Sequence, residues 1–202
     1  RAQMNLDWLI SVDDHILEPP HLWVDRVAAA DRDRAPHMEV RDGVEGWVYD
    51  GKHYPSSGLS AVVGRSKEEF SPAPLPYSEM RPGCYDPVAR IEDMDRAGVL
   101  ASLCFPTITR FCGQLFMDTS DREFGLVCLK AYNDWLIEEW CWAAPGRYIT
   151  LVLIPLLGMY GAAIRFATAI RSVSRSRAMS SRNGDRVAPL LVVRNAPRVS
   201  AQ

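Results

Sequence analysis

The sequence predicts an α/β fold built on a parallel sheet, and three observations carry that expectation. Two mostly apolar stretches, "VLASLCFP" and "RYITLVLIP", have strand length and the composition of strands buried on both faces. A third apolar run, Trp8 to Val12, precedes them and reads the same way. Segments with helical start and stop signals alternate with these runs through short joints, which is the pattern of βα units.

In order along the chain, the first apolar run opens onto "DDHILEPPHLW", a turn at Pro19-Pro20. A polar stretch follows from Asp25 to His37. "MEVRDGVEGWVYDGKHYP" then carries the turn pairs Asp42-Gly43 and Asp50-Gly51 between β-prone runs, which predicts a hairpin or small meander. Ser56 to Gly83, rich in Gly, Ser and Pro, reads as a long excursion that covers something. "YDPVARIEDMDRAGV" predicts a helix with Asp86 as N-cap, Pro87 in the first turn and Gly98 as the stop. Its apolar positions Val88, Ile91, Met94 and Ala97 are expected on one face. "TSDREFGLVCLKAYNDWLIEEWCWAAPG" predicts one long helix, capped by Thr119 or Ser120 and ended by Pro145-Gly146.

Composition narrows the function classes. The 202 residues are 48% hydrophobic and 24% charged, enough apolar material for a sizeable core. A formal net charge of −2 predicts no attraction to nucleic acid or to an anionic membrane. No segment reads as a secretion signal, and the uncharged run from Ile149 to Ile164 is broken by Pro155, Gly158 and Gly161. It also falls short of the roughly 20 residues of a membrane span. Five cysteines without a C-x-x-C pair predict buried thiols in a reducing, cytoplasmic compartment.

The chemistry concentrates in Asp13, Asp14 and His15. Carboxylate oxygen and imidazole nitrogen suit a hard or borderline divalent ion. Alternation along a strand sends Asp13 and His15 to one side and Asp14 to the other. The C-terminal end of a parallel strand is where α/β barrels place catalytic groups. On spacing alone a second reading stands beside this one, a turn capped by Asp with His15 packed against Pro19-Pro20.

"ISVDDHILEPPHLW", "MRPGCYDPVARIEDMDRAGV", "LCFPTITRFCGQLF" and "AYNDWLIEEWCWAAPGRYITLVLIPL", taken in order, resemble the N-terminal part of the amidohydrolase-related family. The nearer branch is that of aminocarboxymuconate semialdehyde decarboxylase and the resorcylate-type decarboxylases. The resemblance implies the first portion of a (β/α)8 TIM barrel of the metal-dependent hydrolase type, holding one divalent ion, zinc or manganese. It places the first-strand metal ligands on Asp13 and His15. It implies a metal-assisted hydrolase or decarboxylase acting on a small carboxylated or amide substrate. "FPTITRFCG" leaves the second strand toward the same mouth, where Arg110 is expected either to clamp a substrate carboxylate or to stand as an ordinary loop arginine. No catalytic acid or base is assigned.

The resemblance also implies later histidines and an aspartate that complete the site. The four histidines here are His15, His21, His37 and His53, so the metal site is expected to be incomplete in this chain. Residues 1–155 are read as a partial barrel with a hairpin and cover insertion at about 25–83. Residues 156–202 are read as an Arg/Ser-rich tail, weakly ordered or out of frame, since Asp185 is its single acid and it has no Lys. A barrel of this kind takes about 250 residues, which makes the chain read as truncated and its activity impaired. The alternative function is a non-catalytic module that associates with a partner, a full-length relative or a second copy of itself.

Overall fold

The computed structural model describes residues 9–154 and the backbone of residues 190 and 191. The first strand, β1 (Leu9–His15), pairs in parallel with β5 (Val99–Phe105), and β5 pairs in parallel with β6 (Tyr148–Leu151). A two-residue strand, β7 (Leu190–Leu191), adds to β6, giving the order β1-β5-β6-β7. This fourth strand was not foreseen. The remaining expectations for the Arg/Ser-rich tail lie outside the described residues.

The parallel sheet agrees with the predicted α/β class, and closure into a barrel is not seen among the described residues. The first strand departs from expectation. Leu9, Ile10 and Val12 are exposed, Val12 by 63%, because the described sheet ends at β1 and leaves its outer side without a neighbour. Register shifts too: Ser11 pairs with Ser102 and Asp14 with Cys104, so three steps of β1 span two of β5. That bulge turns Ser11 and Asp14 to the same side, which simple alternation does not allow.

The expected meander is present as β2 (His37–Arg41), β3 (Val44–Tyr49) and β4 (Lys52–Pro55), an antiparallel sheet with both Asp-Gly pairs at its turns. Asp42 and Gly43 have φ of 52° and 78°, and Asp50 and Gly51 have 49° and 72°. Two successive positive values are what a tight two-residue hairpin turn requires, and Asp-Gly tolerates them. The Ser56–Gly83 excursion has no strand of its own, only short 3-10 turns. Ala61, Tyr77, Met80 and Cys84 close over Leu17 in a small separate core.

Helix α1 (Pro87–Ala97) is capped as predicted. Asp86 accepts the amides of Val88 and Ala89 at 2.8 Å each, and Gly98 ends the helix in the left-handed region. The expected apolar face is only partly buried: Met94 is covered, whereas Val88 is 64% exposed and Ala97 is exposed as well. Steps of three residues fall short of a full turn, so the row drifts around the helix instead of staying on one face.

A short turn of helix that was not expected, α2 (Gln114–Met117), precedes the predicted long helix, whose main body is α3 (Arg122–Trp135). Its cap is Asp121, whose carboxylate accepts the Phe124 amide at 3.0 Å, rather than Thr119 or Ser120. Ser120 instead donates to Asp50 at 2.6 Å. A π-helical turn, Leu136–Cys141, carries the chain on and tucks Trp140 against Trp135 and Tyr148 at ring distances of 5.8 and 5.4 Å. The main core lies between this helix and the sheets, around Trp23, Trp47, Tyr132 and Trp140. All five cysteines are free and four are buried, as expected of packing thiols; burial pushes the Cys128 and Cys141 thiols up to about 12.

Candidate functional site

Because β1 and β5 run in parallel, both deliver their C-terminal ends to the same edge of the sheet, His15 opposite Phe105. Open α/β sheets bind their ligands at that edge. Asp13 and His15 are exposed there, and their side chains make no hydrogen bond or ion pair with any described residue. The His15 ring lies 5.8 Å from that of Phe105, and the Phe105 ring lies 5.1 Å from Phe111.

Asp14 is taken up differently. Its Oδ1 accepts from Ser11 Oγ at 2.8 Å, its Oδ2 accepts from Ser102 Oγ, and Arg90 Nη2 stands 3.6 Å away. Arg90 also donates to the His15 carbonyl at 3.1 Å. Asp14 therefore braces β1 to β5 and α1 and leaves Asp13 and His15 as the two free donors at the strand end.

Two donors are fewer than the three protein ligands of a catalytic zinc site. Among the described residues no three His, Cys, Asp or Glu side chains converge. A divalent ion is thus not accommodated by the described residues alone.

Beside the strand ends lies a cleft of about 240 Å³, lined by Glu18, Trp47, Tyr54, Tyr77, Thr107 and Arg110 among others. Neither Asp13 nor His15 lines it. Arg110 is exposed on its rim, has φ of 59°, and its guanidinium makes no hydrogen bond or ion pair with any described residue. A non-glycine residue in the left-handed region is uncommon and is a pointer to function when the surroundings hold it there.

Glu18 was not picked out from the sequence. It is completely buried, and its carboxylate accepts the amides of Thr107 and Ile108 at 3.1 Å each, with that of Thr109 at 3.5 Å. Burial pushes its carboxyl up from 4.5 to about 7, against the pull of the Ile108 amide, its own amide and those of Thr109 and Thr107. Tyr77 donates to the Glu18 carbonyl at 2.8 Å and receives Trp47 Nε1 at 3.3 Å, which ties the excursion and the meander to this segment. The available signal was a lone acid enclosed by Ile16-Leu17 and Pro19-Pro20, an apolar and turn-bound setting that burial was bound to follow.

A second cleft, of about 310 Å³, lies between β3 and the start of α3. Its charges are largely satisfied: Arg34 pairs with Asp121 at 2.8 Å, and Asp50 holds Ser120. Tyr49 has a buried hydroxyl near Thr119 and Cys128 without a formed hydrogen bond.

No family model matches the chain, and no curated protein matches it. The fold is amidohydrolase-like. An amidohydrolase crystal structure from Mycobacterium avium subsp. paratuberculosis superposes with a TM-score of 0.58 at 19% identity over 81% of this chain. The chain spans 47% of that protein's length. No helix among the described residues is long and apolar enough to cross a membrane.

Proposed function

We propose that this chain carries the opening part of a metal-dependent hydrolase or decarboxylase site, with Asp13 and His15 as metal ligands and Arg110 as the clamp for a substrate carboxylate. The observation that carries the reading is a free carboxylate and a free imidazole, one residue apart, at the C-terminal end of a parallel strand in an amidohydrolase-like fold. The ion, zinc or manganese, would need ligands beyond these two, and the site is incomplete in this chain, whose other histidines are His21, His37 and His53. When bound it supplies Lewis-acid polarisation of the substrate or of water. Arg110 orients a carboxylate through paired N–H donors, and Phe105 and Phe111 offer an apolar wall nearby.

The test is competition for zinc against a chromophoric chelator, with wild type compared to Asp13→Ala and His15→Ala. Each substitution is expected to weaken binding at least about tenfold, the scale of a lost or disturbed ligand. Equal affinity in all three proteins would remove Asp13 and His15 from the reading. Carbon dioxide release from an aromatic carboxylic acid, set against amide hydrolysis, separates the two chemistries.

A second reading has its own support. Among the described residues the outer side of β1 is an unpaired edge with Leu9, Ile10 and Val12 exposed, which suits a module that docks on a full-length relative or a second copy.

A further inference from the structure

The Glu18 carboxylate sits where neither the sheet nor a helix calls for a charge. A buried carboxylate without strong partners is costly, so what holds it is informative. Its partners are consecutive backbone amides of one short loop, an arrangement that forms a concave nest for an anion. The same loop is tied a second time, because Thr107 Oγ1 donates to the Ile16 carbonyl at 2.7 Å. It then turns on itself, the Arg110 amide reaching the Thr107 carbonyl at 3.3 Å, and places Arg110 at φ 59° on the cleft rim. Left-handed backbone is unfavourable for a non-glycine residue, so something must hold the turn.

We propose that Glu18 is a positioning residue: its carboxylate grips the amides of Thr107, Ile108 and Thr109 and thereby fixes the loop that presents Arg110 to a carboxylated ligand. This rests on the clamp reading of Arg110 and adds the device that sets it. The ionised carboxylate is the stronger acceptor, so the loop is held tightly when Glu18 is charged and loosely when it is protonated. With its carboxyl raised to about 7, that change falls near neutrality.

The titratable groups facing Glu18 are Tyr77, from the turn over the cleft, and Tyr132, from α3. Burial holds both phenols well above their ordinary range, so neither titrates with it. The Arg110 guanidinium lines the same cleft.

The experiment follows the amide resonances of Thr107, Ile108 and Thr109 in the full 202-residue chain from about pH 5.5 to about pH 8.5. Benzoate affinity is measured across the same range as the probe, in wild type, Glu18→Gln and Arg110→Ala. In wild type the three amides are expected to move together with a midpoint near 7, and benzoate to bind about fivefold or more tightly at the upper end. Benzoate and arginine do not themselves titrate there, so the rise reports the loop. In Glu18→Gln both responses flatten and binding stays weak.

Amides that do not titrate in wild type overturn the proposal without any variant having to fold. So does benzoate binding that weakens as pH rises, because the carboxylate would then be repelling the ligand. Benzoate bound equally by wild type and Arg110→Ala sinks the clamp reading, and the ligand-presenting role of Glu18 with it. If Arg110→Ala loses binding while the amides stay silent, the clamp stands and the role of Glu18 falls.

Discussion

Asn133 and Glu18 are both completely buried polar side chains, and each joins two parts of the chain through backbone groups. Asn133 does so as a neutral two-point clamp. Its Nδ2 donates to the Leu153 carbonyl at 2.9 Å and its Oδ1 accepts the Leu153 amide at 2.8 Å, fastening the end of the β6 segment to α3. An amide is the side chain that matches one carbonyl and one N–H at once. Asn133→Leu keeps the branched heavy-atom shape and strands both Leu153 groups in the core, so it is expected to cost about 2–4 kcal/mol. A urea midpoint lowered at unchanged m-value checks this. A loss below about 0.5 kcal/mol would mean that the Leu153 backbone finds other partners, contrary to the observed clamp. Neither role was legible in the sequence, because "AYNDWL" reads as an ordinary helix and the partner of Asn133 lies 20 residues away. Asp13, Asp14 and His15 were legible as a group. Strand alternation already set Asp14 apart from Asp13 and His15, whereas its role as a brace depended on where Ser102 and Arg90 fell in space.

At the scale of elements, local chemistry was read well where it is truly local. The Asp-Gly pairs gave the meander its turns, and Asp86, Pro87 and Gly98 bounded α1, because caps and positive-φ turns are decided within a few residues. The bulge in β1 and the π-turn after α3 escaped, since each is set by packing against a neighbour. The displaced cap of α3 has a related cause: Thr119, Ser120 and Asp121 are all competent caps, and Asp50 from the meander engages Ser120. Asp121→Ala is therefore expected to lower the thermal midpoint, chiefly through the lost bond to the Phe124 amide. The exposed pair with Arg34 adds little. The pH dependence has a definite sign. The Phe124 amide and then Arg34 hold the Asp121 carboxyl below its ordinary 3.8, so its contribution is present above that value and lost as pH falls through the folded one. The deficit of Asp121→Ala, measured by thermal unfolding, should shrink as the solution is acidified from neutrality to well below 3.8. A deficit independent of pH would point to another cap at the head of α3.

At the scale of the whole molecule, the alternation of strand and helix announced a parallel sheet, and the structure has one whose described edge is β1. What the sequence could not supply is the covering of that edge, because burial on both faces is a property of neighbours rather than of the strand. The apolar run Trp8 to Val12 reads as a strand buried on both faces; the described residues place β1 at a border with Ile10 49% and Val12 63% exposed. Apolar strand edges with free N–H and C=O groups recruit further strands, and lysine on such an edge is a common means of preventing it. The chain is accordingly expected to self-associate in a concentration-dependent way, read by sedimentation velocity over about 1–100 μM, the range in which modest interfaces operate. The double substitution Ile10→Lys and Val12→Lys should abolish this association while leaving the far-UV circular dichroism unchanged, since both side chains are already largely in water. Association that persists in the double variant would move the contact to another exposed apolar site, such as Phe111 or Trp142, which are 61% and 54% exposed. A wild-type chain that stays monomeric throughout would show that the β1 edge is covered within the chain by residues outside those described. The docking reading would then lose its support.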